Sequence, residues 1–164
     1  MSDAGDFVDR TLQNEATWER AADAQARFGD ELEFYGASVG AVRGTIRDLG
    51  RRYKSMSHDE VTALSSELWN VPVFERRLAA IVLLQTNVAR LDNTDLTRIE
   101  GFLRGAGLPE LVDPLAHDVV LPLVQHLTGP SRARAVTALA RWASDGDPWL
   151  QRAAHAVTVH IAIE

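Results

Sequence analysis

The sequence predicts an all-α fold, a superhelical array of antiparallel helical hairpins, and three observations lead there. Apolar residues recur at spacings of three and four through nearly all of its 164 residues, and alternating β-branched runs bounded by turns are missing. Clusters of glycine, proline, aspartate and asparagine divide these stretches with short connections, which favour antiparallel neighbours. One segment also occurs twice, as Trp69-Asn-Val-Pro72-Val-Phe74-Glu-Arg-Arg77 and as Trp142-Ala-Ser-Asp145-Gly-Asp147-Pro148-Trp149-Leu-Gln-Arg152. Each copy closes a helix at a tryptophan, turns through a proline-containing loop, and opens the next helix with an aromatic followed three residues later by arginine. Phe74 and Trp149 lie 75 residues apart, two periods of about 37, near the range of about 34 to 47 for helical repeats. Stacked hairpins present a long concave face suited to an extended partner.

Taken in order, helices are expected over residues 4–13, 15–28, 38–53, 58–69, 73–87, 94–105, 109–127, 131–144 and 148–161. Gly29-Asp30 and Tyr35-Gly36 separate the second from the third, which begins near Ser38. Asp92-Asn93 precedes the sixth, and Gly129-Pro130 parts the seventh from the eighth. Asp147 and Pro148 suit the N-cap and first turn of the ninth. That helix runs into Ala-Val-Thr-Val-His-Ile-Ala-Ile-Glu164, an apolar end where a repeat array normally carries a polar cap. A truncated chain, a frameshifted end or a homodimer contact through this apolar C-terminus would each account for it.

The length fits a single domain, residues 1–164, large enough to bury about two thirds of its unfolded surface. Zero cysteines exclude disulfides, zinc–thiolate sites and thiol catalysis, and suit a reducing compartment. The first residues have neither a basic nor an apolar leader pattern, and no run approaches a membrane span, so a cytoplasmic protein without a membrane partner is expected. The net charge of −6 is local: residues 1–33 hold nine acids and three arginines, whereas residues 34–164 hold fourteen of each sign. Sixteen of the 17 basic residues are arginine, the cation suited to bidentate phosphate contacts, although a GC-rich genome would give the same bias.

Two groups of residues suggest anion binding. Arg43, Arg47 and Arg51, with Lys54 beyond, form one basic stripe along the third helix, and Gly36, Gly40 and Gly44 thin the same region. The stripe is either a phosphate track or a solvated face paired with acids such as Asp48. In the repeated segment, Arg77 and Arg152 lie one turn inside their helices, near the positive end of the helix dipole. Their alternative is a bridge to a carboxylate of a neighbouring hairpin. Phe74 and Trp149 are aromatics of the kind that fill repeat junctions, with a ligand contact as the second reading. Neither a glycine-rich phosphate loop nor a Ser/His/Asp ordering is recognisable, and a metal site has no ligand cluster, so no cofactor is called for.

Four stretches together resemble the bacterial DNA alkylation repair family of AlkD-type DNA glycosylases. They are Phe34-Tyr35-Gly36-x-x-Val39-x-x-Val42-Arg43, Leu68-Trp69-x-x-Pro72-Val-Phe74-Glu75-x-Arg77-Leu78-Ala79-Ala80, Leu111-Val112-Asp113-x-Leu115-Ala116, and Trp142-Ala-Ser-Asp145-x-x-Pro148-Trp149-Leu150-x-Arg152-Ala153-Ala154. The resemblance implies an array of HEAT-like repeats that grips duplex DNA in a basic concave face and removes cationic N3- and N7-alkylated purines without flipping the base into a pocket. It places the family's catalytic aspartate on Asp113 and its phosphate-binding arginine on Arg152. Arg43, Arg47, Arg51, Arg77 and Trp149 would add DNA contacts. The family's tryptophan four residues before the aspartate is Pro109 here, and a further cleft aromatic of a C-terminal repeat is not reached.

A charged alkylpurine is already a good leaving group, so a carboxylate that stabilises the oxocarbenium-like sugar and positions water supplies most of what remains. Asp113 followed by Pro114 also reads as an N-cap pair, and His117 one turn on is a possible partner. His155 and His160 read as surface or packing residues. Asp92-Asn93-Thr94-Asp95-Leu96 is a second candidate register for the acidic stretch. A non-catalytic repeat module binding DNA or a protein through the same face is the alternative function.

Overall fold

The computed structural model describes residues 1–162. The fold is all-α: among the described residues the β-type pairing is one isolated bridge, Glu33 to Val73. The chain divides into two compact units, Met1–Thr86 and a second from Asn87 onward.

The first unit holds α1 (Asp3–Asn14), α2 (Trp18–Phe28), α3 (Val39–Arg52), α4 (His58–Asn70) and α5 (Phe74–Thr86). Ser2, Thr17, Ser38 and Ser57 cap the first four by accepting an amide hydrogen from the opening turn, which sets each start within a few residues of its expected place. α5 is the centre. It buries an unbroken run from Leu78 to Leu84, and α3 and α4 pack on it. Val42, Ile46 and Leu49 turn one side of α3 inward, and α1 contributes Val8 and Leu12.

Two charged residues of α5 are buried with the apolar ones. Glu75, 2% exposed, accepts from the amides of Tyr35 (2.8 Å) and Gly36 (3.2 Å), which ties down the loop after α2. Gly36 has φ of +93°, and a Cβ there would collide with the Thr17 carbonyl oxygen, so only glycine fits this crossing. Arg76 pairs with Asp9 at 2.9 Å and donates to the Glu67 carbonyl at 3.0 Å, joining α1, α4 and α5. α2, by contrast, buries none of its residues, and Trp18 is 77% exposed.

The second unit begins with 3-10 turns at Val88–Arg90 and Asn93–Asp95 and continues with α6 (Leu96–Gly105) and α7 (Pro109–Pro114). A π-helical turn (Leu115–Val120) leads directly into α8 (Leu121–His126), followed by α9 (Gly129–Ala143) and α10 (Pro148–Ile161). The single helix expected over 109–127 therefore contains a wide turn, bracketed by Pro114 and Pro122. The Leu121 amide reaches back five residues to the Ala116 carbonyl. A proline ring collides with the carbonyl four residues before it, here Asp118 for Pro122, and the wider turn relieves that contact.

α10 packs on α9, on the π turn and on α6, burying Leu150, Ala153, Ala154 and Val157. Its apolar side is thus used within the unit up to Val157. Val159 is 47% exposed, and the last two residues of the chain lie outside the described residues. No helix among the described residues is long and apolar enough to cross a membrane.

Candidate functional site

Asp113 and Arg152, 39 residues apart, meet at the surface of the second unit. Arg152 Nε donates to Asp113 Oδ1 at 2.7 Å and Nη2 to Oδ2 at 2.8 Å, a two-pronged carboxylate–guanidinium pair. The side chains are 40% and 49% exposed, open to a large ligand. The hydrogen bonds from Arg152 hold the Asp113 carboxyl below the usual carboxylate range against the upward push of partial burial. The charges of Arg152 and His117 add to the lowering. Asp113 therefore carries its negative charge at neutral pH.

The N-cap reading of Asp113 does not hold. The helix starts four residues earlier at Pro109, after Leu108 in extended conformation, and Asp113 is an interior residue whose side chain turns outward. Among the alternatives for Arg152, the bridge to a neighbouring carboxylate is the one realised, and the partner is Asp113 itself. The amides at the start of α10 are occupied by Asp147, whose Oδ1 accepts from Trp149 (2.8 Å) and Leu150 (3.2 Å), so no free anion site remains on those two.

A chain of contacts fixes where α10 begins. Arg104 grips Asp145 with Nη1 at 3.2 Å and Nη2 at 2.8 Å; Asp145 accepts from the Asp147 amide at 2.9 Å; Asp147 then caps α10. Buried Trp142 donates its indole N–H to Glu100 at 2.7 Å, anchoring the end of α9 to α6. Sequence reasoning found Asp147 by its cap pattern but passed over Arg104 and Glu100, whose partners lie about forty residues away. Trp149 is half-buried on the first turn of α10. The second candidate acidic stretch is spent locally: Asp95, 8% exposed, accepts from the Asp92 amide at 2.9 Å while Asp92 caps Thr94, and α6 starts after this box, at Leu96 rather than residue 94.

In the first unit the predicted arginines divide. Arg43 and Arg47 are exposed and make no ion pair among the described residues, whereas Arg51 pairs with Asp48 at 3.3 Å on an open surface. Arg77 is half-buried; its Nε donates to the Trp69 carbonyl at 3.1 Å and its guanidinium lies 5.0 Å over the Trp69 ring. It seals the junction between α4 and α5, and nothing in sequence periodicity separated it from Arg152. No group of three or more metal-ligating side chains occurs among the described residues.

An all-α protein of short helices with an ionised surface carboxylate fixed by an arginine is the class that these features define. The family model for DNA alkylation repair enzyme matches residues 8–163. The chain belongs to the DNA alkylation repair enzyme family, and DNA repair is its role at that level. No curated protein matches it.

Proposed function

We propose that the protein is a DNA N-glycosylase that removes cationic N3- or N7-alkylated purines from duplex DNA, with Asp113 as the catalytic carboxylate and Arg152 as its partner toward the strand. The observation that carries this reading is the two-pronged Asp113–Arg152 pair on an open surface. Departure of an alkylpurine leaves positive charge on the deoxyribose, and an ionised carboxylate beside it offsets that charge and orients the attacking water. A guanidinium has five N–H donors, and Asp113 takes two of them, so three remain for a phosphate oxygen. Arg152 can therefore hold a strand phosphate and the carboxylate together, setting Asp113 at a fixed distance from the sugar. Arg43 and Arg47, exposed and without an ion pair among the described residues, are the proposed phosphate contacts of the first unit, with Arg51 beside them and Trp149 against the strand. Arg77 is retained only as a marginal contact, given its place over Trp69.

The second reading, a DNA-binding module without catalysis, is favoured by Pro109 at the position where a tryptophan would pack on the sugar. A homodimer through the C-terminal helix gains no support, because that helix buries its apolar side within its own unit. Incubation with duplex DNA carrying N7-methylguanine decides between enzyme and binder. Free-base release that Asp113→Asn abolishes is the expected result. Salt-sensitive binding without release would make the protein a binder only, and release unaffected by Asp113→Asn would remove that residue from the mechanism.

A further inference from the structure

Between α7 with its π turn and α10, polar side chains meet in two successive rungs. The first is Asp113 with Arg152. Four residues on from Asp113 and eight on from Arg152, His117 meets His160 edge to face, with ring centroids 5.9 Å apart and planes at 79°. Both histidines are exposed, and neither makes a hydrogen bond among the described residues. Packing does not require them: the π turn buries Leu115, Ala116, Val119 and Val120, and α10 buries its own apolar face. His117, next to the proposed reacting carboxylate, and His160, against the His117 ring, thus have ring nitrogens without a hydrogen bond among the described residues.

We propose that His117 and His160 form a second contact for the DNA backbone, taking a phosphate of the strand held at Asp113 and Arg152 when the pair takes up a proton. The inference rests on the DNA-binding reading above and names a further part of the same surface. Histidine is the side chain that changes charge between about pH 5 and 8, and a single proton on the pair gives a phosphate one charged donor with the N–H of the second ring beside it. The other titratable or charged groups on elements packed against the π turn or α10 are Glu110 and Asp113 on α7, Asp118 within the turn, Arg152 and His155 on α10, His126 on α8, Arg98, Glu100 and Arg104 on α6, and Arg132, Arg134 and Arg141 on α9. Of these, Asp113 interacts electrostatically with His117. Glu100 and Arg104 are engaged around Trp142 and Asp145, and His126 bonds the Leu91 carbonyl at 3.0 Å.

The test is binding of an undamaged duplex oligonucleotide at pH 6 and pH 8 over a range of salt, for wild type, His117→Gln/His160→Gln and Arg152→Gln. Wild type should bind about tenfold more tightly at pH 6, with a salt slope steeper by about one phosphate. The double variant should match wild type at pH 8 and lose most of the gain at pH 6, and Arg152→Gln should weaken binding at both. A double variant with the wild-type pH gain, or a wild type without one, overturns the proposal while leaving DNA binding intact. A wild type that binds DNA at neither pH overturns the DNA reading itself.

Discussion

Two copies of one motif separate at the level of single side chains. In the first, Arg77 turns back onto Trp69, its carbonyl and its ring together. In the second, Glu100 holds the equivalent Trp142, and Arg152 reaches Asp113 instead. If Asp113 is the catalytic carboxylate, Arg152→Gln should raise its pKa by removing the hydrogen bonds that lower it. The acid limb of the pH–rate profile for base release should then move to higher pH; a limb that stays in place would show that the pair does not govern ionisation. Asp9 is the structural counterpart. Burial pushes its carboxyl up, but hydrogen bonds from Tyr35 and Arg76 hold it below the usual range, while burial and Asp9 push the Tyr35 hydroxyl up to about 12. Arg76 is 3% exposed in its side chain, so Asp9→Asn leaves a buried charge unpaired. The expected loss is about 3–5 kcal/mol in urea unfolding. Because the folded pKa of Asp9 is lowered, its contribution is present above the ordinary carboxylate value of about 4 and fades as pH falls through the folded value. Asp9→Asn should remove that part of the acid destabilisation.

At the level of the helix, α3 carries a cost that its packing does not explain. Gly40, Gly44 and Gly50 lie within it, yet an added Cβ would meet nothing within 4 Å at Gly44 and Gly50 and only the Ser38 hydroxyl at Gly40. Each such glycine destabilises a helix by about 0.5–1 kcal/mol relative to alanine. Gly40 and Gly44 share the outward side with Arg43 and Arg47. Gly40→Ala/Gly44→Ala should therefore raise the melting temperature, and if a sugar–phosphate backbone lies against this side, DNA affinity should fall at the same time. A more stable protein with unchanged affinity would place the strand elsewhere. The π turn is the other element that periodicity could not foresee, since its cause is a pair of prolines within one helix rather than an apolar pattern.

For the whole molecule the net charge of −6 opposes a polyanion, and binding must come from arginines that acids have not already engaged. Arg43→Gln/Arg47→Gln should flatten the dependence of log K on log salt by about two phosphate contacts, alike for all duplex sequences. Arg77→Gln should lower stability with little change in that slope, and the reverse pattern would exchange their roles. By itself the sequence determined the all-α class, nearly every helix and the cap at Asp147, because apolar spacing and capping act over a few residues. It also determined family membership, which rests on the order of residues along the chain. Tertiary structure alone decided which arginine is spent and which is available. Arg76, unremarked in the repeated motif, is buried against Asp9 from 67 residues away; Asp113 finds Arg152 and His117 finds His160 across about forty. Such pairings depend on how helices distant in sequence pack, and an exposed charge has the same local pattern whether its partner is water, a carboxylate or a phosphate.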